Sequence, residues 1–332
     1  AVGTSNNFVG PHLNISWLHR NIFKGAERYS LNIYTGYEWQ VGGGGDESLN
    51  NYEVGLENVL TFPRLIEPFH IKYAKARFLP ETKVKLGARF QRRVGYYQLN
   101  SLHADYGYEW KQTITKRHKF YPIVLNYIDL GRTTLEFDSI LMENPVLARS
   151  FEEQFIVGAS YGFYFSSLEE KERKRRHNIY FNANIDVSGN LLYGINNVFN
   201  AEVSSETGNY TILGQPYSQF SRGSLDFRHY WNISRKSVIA SRIITGVGYS
   251  YGNSVTMPYS YQYSVGGSNS LRGFRARSVG PGTFVPDSTI TFIDQTGDIK
   301  LEMNLEYRFE IYGRVKGALF TDIGNVWTLR ED

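Results

Sequence analysis

Polar and apolar residues alternate with a period of two through most of this chain. The cleanest stretch is Ile299–Ile311, IKLEMNLEYRFEI. Ile299, Leu301, Met303, Leu305, Tyr307, Phe309 and Ile311 fall on one face, and Lys300, Glu302, Asn304, Glu306, Arg308 and Glu310 on the other. That period predicts a strand with two unlike faces. The polar face is dense in charge, as in a strand with hydrocarbon on one side and a wet lumen on the other. The same alternation predicts strands over 12–20, 28–41, 52–62, 83–94, 98–110, 120–130, 155–165, 178–188, 217–231, 238–249 and 315–326. With a short stub at the start, this makes about twelve to thirteen strands, most long enough to cross a bilayer when tilted by ~45°.

The connections alternate in length. The segments 41–51, 131–152, 190–216 and 251–297 are long, whereas 21–27, 111–118, 166–177 and 232–236 are shorter or charged. In a membrane barrel the long loops lie outside and the short turns face the periplasm. The segment 62–82, with Pro63, Pro68 and Pro80, does not fit that scheme and is read as an irregular or partly helical connection. Leu135, Ile140, Leu141, Val146, Leu147 and Phe151 predict a helix inside the 133–151 loop. The segment 190–216 is read as a polar loop. The basic run EEKERKRRH at 169–177 has no aromatic platform beside it, so it is read as a solvated turn and not as a nucleic-acid patch.

Composition narrows the class. The chain has 332 residues, a net charge of +4, no cysteine, 25 Tyr and 21 Phe. Without cysteine there is no disulfide scaffold and no thiol chemistry. No run approaches the ~18 apolar residues of a spanning helix. A soluble all-β protein and a β-barrel both survive that test, and the tyrosine excess favours the barrel, whose interfaces carry aromatic girdles. The first ten residues, AVGTSNNFVG, show neither the charged start nor the apolar run of a signal peptide, so a mature chain or a fragment is expected.

Enzyme signatures do not emerge. GGSNS at 266–270 lacks the last glycine of a nucleophile elbow, and GGGGDE at 42–47 fails the dinucleotide-loop pattern. The seven histidines are scattered, so no metal site and no cofactor is expected. Glu302, Glu306 and Glu310 share one strand face. They read as a hydrated lumen wall and not as paired catalytic acids, and Asn304 between them reads as a position open to substitution.

One stretch organises the rest. Val265–Phe274, VGGSNSLRGF, is a glycine-rich loop ending in one arginine between apolar neighbours. It is followed by GDIKLEMNLEYRFEI and then by FTDIGNVW. In order, spacing and residue type these segments resemble the end region of the BamA/TamA superfamily of outer-membrane assembly barrels, closest to the TamA-like barrels of Bacteroidetes-type bacteria. The resemblance implies an all-β fold, a transmembrane antiparallel β-barrel of the sixteen-stranded type. Strands two to thirteen of that barrel would lie in this chain, with the POTRA domains and the last strands outside it.

The resemblance also implies a site and a role. The loop 251–297 would fold into the lumen, with Arg272, Gly273, Phe274, Gly266 and Gly267 forming a latch. Asp322, Glu306 and Gly324 would be its partners on the lumen wall. The function implied is assembly and insertion of outer-membrane proteins through a lateral seam, without covalent chemistry; the alternative is a two-partner secretion translocator that exports a passenger protein. Partners implied are outer-membrane lipids and lipopolysaccharide, unfolded outer-membrane protein clients, and periplasmic or lipoprotein accessory subunits, with no nucleic acid.

Overall fold

A computed structural model describes residues 2–5, 8–40, 50–66, 78–143, 148, 151, 153–170, 175–198, 203, 208–212, 215–284 and 295–329. Thirteen strands form one antiparallel sheet in which each strand pairs with its neighbours in sequence. They are β1 (Val2–Ser5), β2 (Phe8–His19), β3 (Arg28–Gln40), β4 (Asn50–Phe62), β5 (Glu81–Arg93), β6 (Tyr97–Lys111), β7 (Lys116–Thr133), β8 (Gln154–Ser166) and β9 (His177–Ser188). A separate two-stranded hairpin, β10 (Thr211–Ile212) and β11 (Gln215–Pro216), lies in the next connection. The sheet resumes with β12 (Phe220–Asn232), β13 (Ser237–Ser250), β14 (Ile299–Tyr312) and β15 (Val315–Trp327). Among the described residues, β1 and β15 do not pair with each other.

The alternation assigns the two faces. Leu13, Ile15, Trp17, Ile33, Leu86, Leu102, Ile185, Ile243, Leu301, Met303 and Leu305 all stand exposed on one face. So wide an apolar band is not tolerated in water, and it fits hydrocarbon. The opposite face carries cross-strand ion pairs, among them Arg89–Glu53 at 2.9 Å and Lys83–Glu109 at 2.7 Å. The alternation also slips at bulges. In β7 the register shifts between Tyr121 and Val124, where Pro122 has no N–H to give to the ladder. The shift turns buried Tyr121 to the inner face, where its hydroxyl donates to Glu109 at 2.6 Å, and leaves Ile123 exposed on the outer face.

The long connections are more ordered than their composition indicates. The helix expected in 133–151 is present as α1 (Leu135–Glu143). Thr134 caps it, its hydroxyl accepting from the Phe137 N–H at 3.3 Å. Phe137 is buried against Tyr96, Tyr97 and Phe151. The 190–216 segment is not simply a polar loop: it holds a helix, α2 (Asn190–Val198), as well as the β10–β11 hairpin. Leu191, Ile195 and Val198 carry the helical spacing that the density of asparagines obscured. In the 169–177 turn, Arg175 pairs with Glu170 and Arg117 with Glu169, in keeping with a charged cap. Residues 171–174, most of the 62–82 connection, and the GGGGDE segment lie outside the described residues.

The described residues of the longest connection, between β13 and β14, lie against the inner face. Met257 packs on Ile156 and Phe220 from β8 and β12. The Tyr263 hydroxyl donates to the Gly223 carbonyl at 2.7 Å, and the Arg222 guanidinium lies 4.3 Å from the Tyr263 ring centre. Tyr263, Val265 and Leu271 are buried with Val326 of β15. The leucine of LRGF is therefore the loop's apolar foot, set beside its charged one.

Candidate functional site

The site is built by the register of β14 and β15. Glu302 stands opposite Gly324, Asn304 opposite Asp322, and Glu306 opposite Phe320. Directly opposed residues in an antiparallel pair share a face. This pairing therefore lays an amide beside one carboxylate and an aromatic ring beside the other. Arg272 drops into that four-cornered recess. Its Nε and Nη2 donate to the two oxygens of Asp322 at 2.8 and 2.7 Å, and its backbone N–H donates to Oδ2 at 3.0 Å. Nη1 donates to Glu306. The guanidinium carbon lies 3.7 Å above the Phe320 ring centre. A planar fork with five donors can satisfy all of these at once, and an ammonium cannot. The bonds to Asp322 first, then Glu306, raise the pKa of Arg272 above its already high ordinary value, so the group is always charged.

The acids are shared. Glu306 also accepts from Nε of Arg308 at 2.7 Å. Asn304 Nδ2 donates both to Asp322 Oδ1 at 3.0 Å and to the Ser270 carbonyl at 2.9 Å. Asn304 is thus a strut between wall and loop, which corrects the expectation that this position is open to substitution. On the neighbouring strand, Arg242 reaches the Asn269 carbonyl at 2.8 Å while holding Asp226.

Glu302 departs furthest from its expected role. It is 0% exposed and so is no part of a hydrated wall. Its Oε2 accepts from the Ser270 hydroxyl at 2.5 Å and pairs with Lys300 Nζ at 3.1 Å. Lys300 in turn donates to the Ser264 carbonyl at 2.9 Å. Glu302 therefore ties down the loop at two further points, on the N-terminal side of the arginine. Three carboxylates (Glu302, Glu306, Asp322) and three cations (Lys300, Arg272, Arg308) close the site electrically. Alternation alone puts Glu302 on the inner face; its burial depends on where the loop lands.

The glycines play unequal parts. Gly266 has φ +107°, and a Cβ there would lie 2.0 Å from the Arg275 carbonyl oxygen, so the close approach itself excludes a side chain. Gly273 also has positive φ, +93°, but nothing lies within 4 Å of its would-be Cβ; it serves the turn alone. Gly267 is likewise at positive φ. Gly324 leaves room for Glu302, with the Glu302 Cα 3.1 Å from its would-be Cβ. Phe274 is 58% exposed and is not brought to the arginine. Among the described residues, no group of three or more metal-ligating side chains occurs, and no helix is long and apolar enough to cross a membrane.

A sheet with one apolar and one charged face, whose charged face anchors a loop around Arg272 and Ser270, defines a membrane-type β-barrel wall with an inward-folded loop. The chain belongs to the Omp85 superfamily: the model for the Omp85 superfamily domain matches residues 11–332. Among solved structures it is similar to the crystal structure of BamA from Haemophilus ducreyi lacking POTRA domains 1–3. The TM-score is 0.55 and the identity 13%, and the match covers 96% of this chain and 58% of that one. At that identity the likeness is one of fold, and the chain spans a little over half of that structure's length. No curated protein matches it.

Proposed function

We propose that this chain is the barrel part of an outer-membrane assembly factor that inserts client β-proteins into the lipid bilayer. The observation that carries the reading is the seating of Arg272 on Asp322 and Glu306, because it holds a long surface loop against the inner wall. In this reading residues 251–297 act as one lumen-filling unit, and the order LRGF, LEYRFEI, FTDIGNVW supports a TamA-like role. A client strand would add by its backbone to a free sheet edge at a lateral seam. Completion of its hydrogen bonds and burial of its apolar face in lipid supply the driving force, so no covalent step is needed. Lipids of the outer membrane, unfolded clients and accessory subunits are the partners this role requires.

Depletion of the protein in its native organism, followed by an inventory of outer-membrane proteins, tests the reading. Loss of many unrelated barrels is the expected result. Loss of one exported soluble passenger, with the barrels intact, would replace it with the translocator.

A further inference from the structure

The outer wall is not evenly covered. Across β4 to β8 the register sets Leu56, Ala88, Leu102, Tyr127 and Phe155 in one outward row. The row nearer the short turns contains Leu86, Ala104 and Leu125. An alanine stands inside each row between larger neighbours. The dent that results is a groove of about 590 Å³, closed on one side by Ile212 and Gln215 of the surface hairpin. No Asp, Glu, Lys or Arg lines it.

Polar groups gather at its surface end. One row beyond Leu102 and Tyr127, Asn100 stands opposite Asp129 and donates to it at 2.9 Å. Glu153, close enough to Asp129 to feel its charge, accepts from the groove-lining Gln215. The neighbouring Asp129, with burial, raises the Glu153 pKa. Among the described residues, neither carboxyl forms an ion pair with a cation.

We propose that this groove binds one acyl chain of a phospholipid whose ammonium headgroup rests against the Asp129–Glu153 pair. An apolar cavity of ~150 Å³ accepts one benzene, so this groove scales to roughly two dozen carbons, ample for one chain. It is continuous with the exposed apolar band, where hydrocarbon is the surrounding solvent. The acid pair at the mouth complements an ammonium and repels a headgroup that carries only phosphate charge. The inference rests on the assignment of the outward face to lipid, which the proposed function shares.

The full chain, folded and inserted into nanodiscs of equal phosphatidylethanolamine and phosphatidylglycerol, is released and weighed by native mass spectrometry. Wild type retains one phosphatidylethanolamine, preferred about fivefold, the scale of one charge at a membrane surface. The variant Ala88→Leu with Ala104→Leu fills the groove and loses the retained lipid. The variant Asp129→Asn with Glu153→Gln keeps a lipid but takes both kinds equally. Wild type that inserts yet retains no lipid overturns the groove while leaving the membrane reading intact. Lipopolysaccharide retained in preference, when offered as a third lipid, overturns it too. If the filled variant fails to insert, an undiminished ethanolamine preference in the acid-pair variant is the overturning result.

Discussion

Three glutamates on one strand face show how little a side chain's type says about its role. Glu310 pairs at 3.4 Å with Lys236, which is mostly exposed, so Glu310→Ala should change stability by less than ~1 kcal/mol. Glu306 is divided between two arginines. Glu302 is fully buried, and Glu302→Ala should strand the charge of Lys300 and release Ser270 and Ser264. Limited proteolysis of residues 264–284 should be faster in Glu302→Ala and unchanged in Glu310→Ala. Equal cleavage in the two variants would remove Glu302 from the anchor. Arg272→Ala leaves Asp322, whose side chain is only 4% exposed, without its partner. The expected cost is roughly 3–5 kcal/mol for an enclosed pair, and less where lumen water reaches it. Asp322→Ala should match it, and the double variant should be scarcely worse than either, because both remove one interaction. Arg272→Lys should not rescue, since an ammonium gives up the two-point bond and the flat contact with Phe320. Loop proteolysis and heat-modifiable gel mobility report all four variants, and simple additivity in the double variant would show that the two residues act apart.

At the scale of the strand, outward and inward neighbours should respond oppositely to charge. Ile33 is exposed on the apolar face in the middle of β3, and Asn32 beside it points inward. Ile33→Arg should cost ~2–4 kcal/mol near the bilayer midplane, and Leu305→Arg in β14 likewise, whereas Asn32→Arg should be tolerated. Denaturant titration in lipid vesicles measures the difference, and similar costs at Ile33 and Asn32 would refute the faces assigned here. The helices were unevenly legible at this scale. α1 announces itself by the apolar series that begins with Leu135, Ile140 and Leu141, whereas its cap Thr134 and its buried Phe137 emerge only in the structure. α2 is short, uncharged and rich in asparagine, so its stripe of Leu191, Ile195 and Val198 did not stand out.

For the molecule as a whole, circular dichroism in detergent should show predominantly β-structure, with a minor helical part from the two loop helices; a water-soluble helical monomer would contradict the fold. Much of this architecture is set by local chemistry. A period of two needs no tertiary information, since side chains on a pleated strand must alternate. The lipid-facing row of β14, the opposite row of charges and the succession of hairpins could therefore be read directly from the chain. LRGF, LEYRFEI and FTDIGNVW likewise brought Arg272, Glu306 and Asp322 together by resemblance. Other features depend on contacts between distant segments. The recess for Arg272 exists because the β14–β15 register sets Asn304 against Asp322 and Glu306 against Phe320, and a slip of one residue would turn half of it outward. Glu302 is buried because the loop comes down over it, some thirty residues away along the chain, with Ser270 aimed at its carboxylate. Asn304 became a strut for the same reason. Alternation decided which way these side chains point; only the tertiary structure decided which of them meet water and which meet the loop.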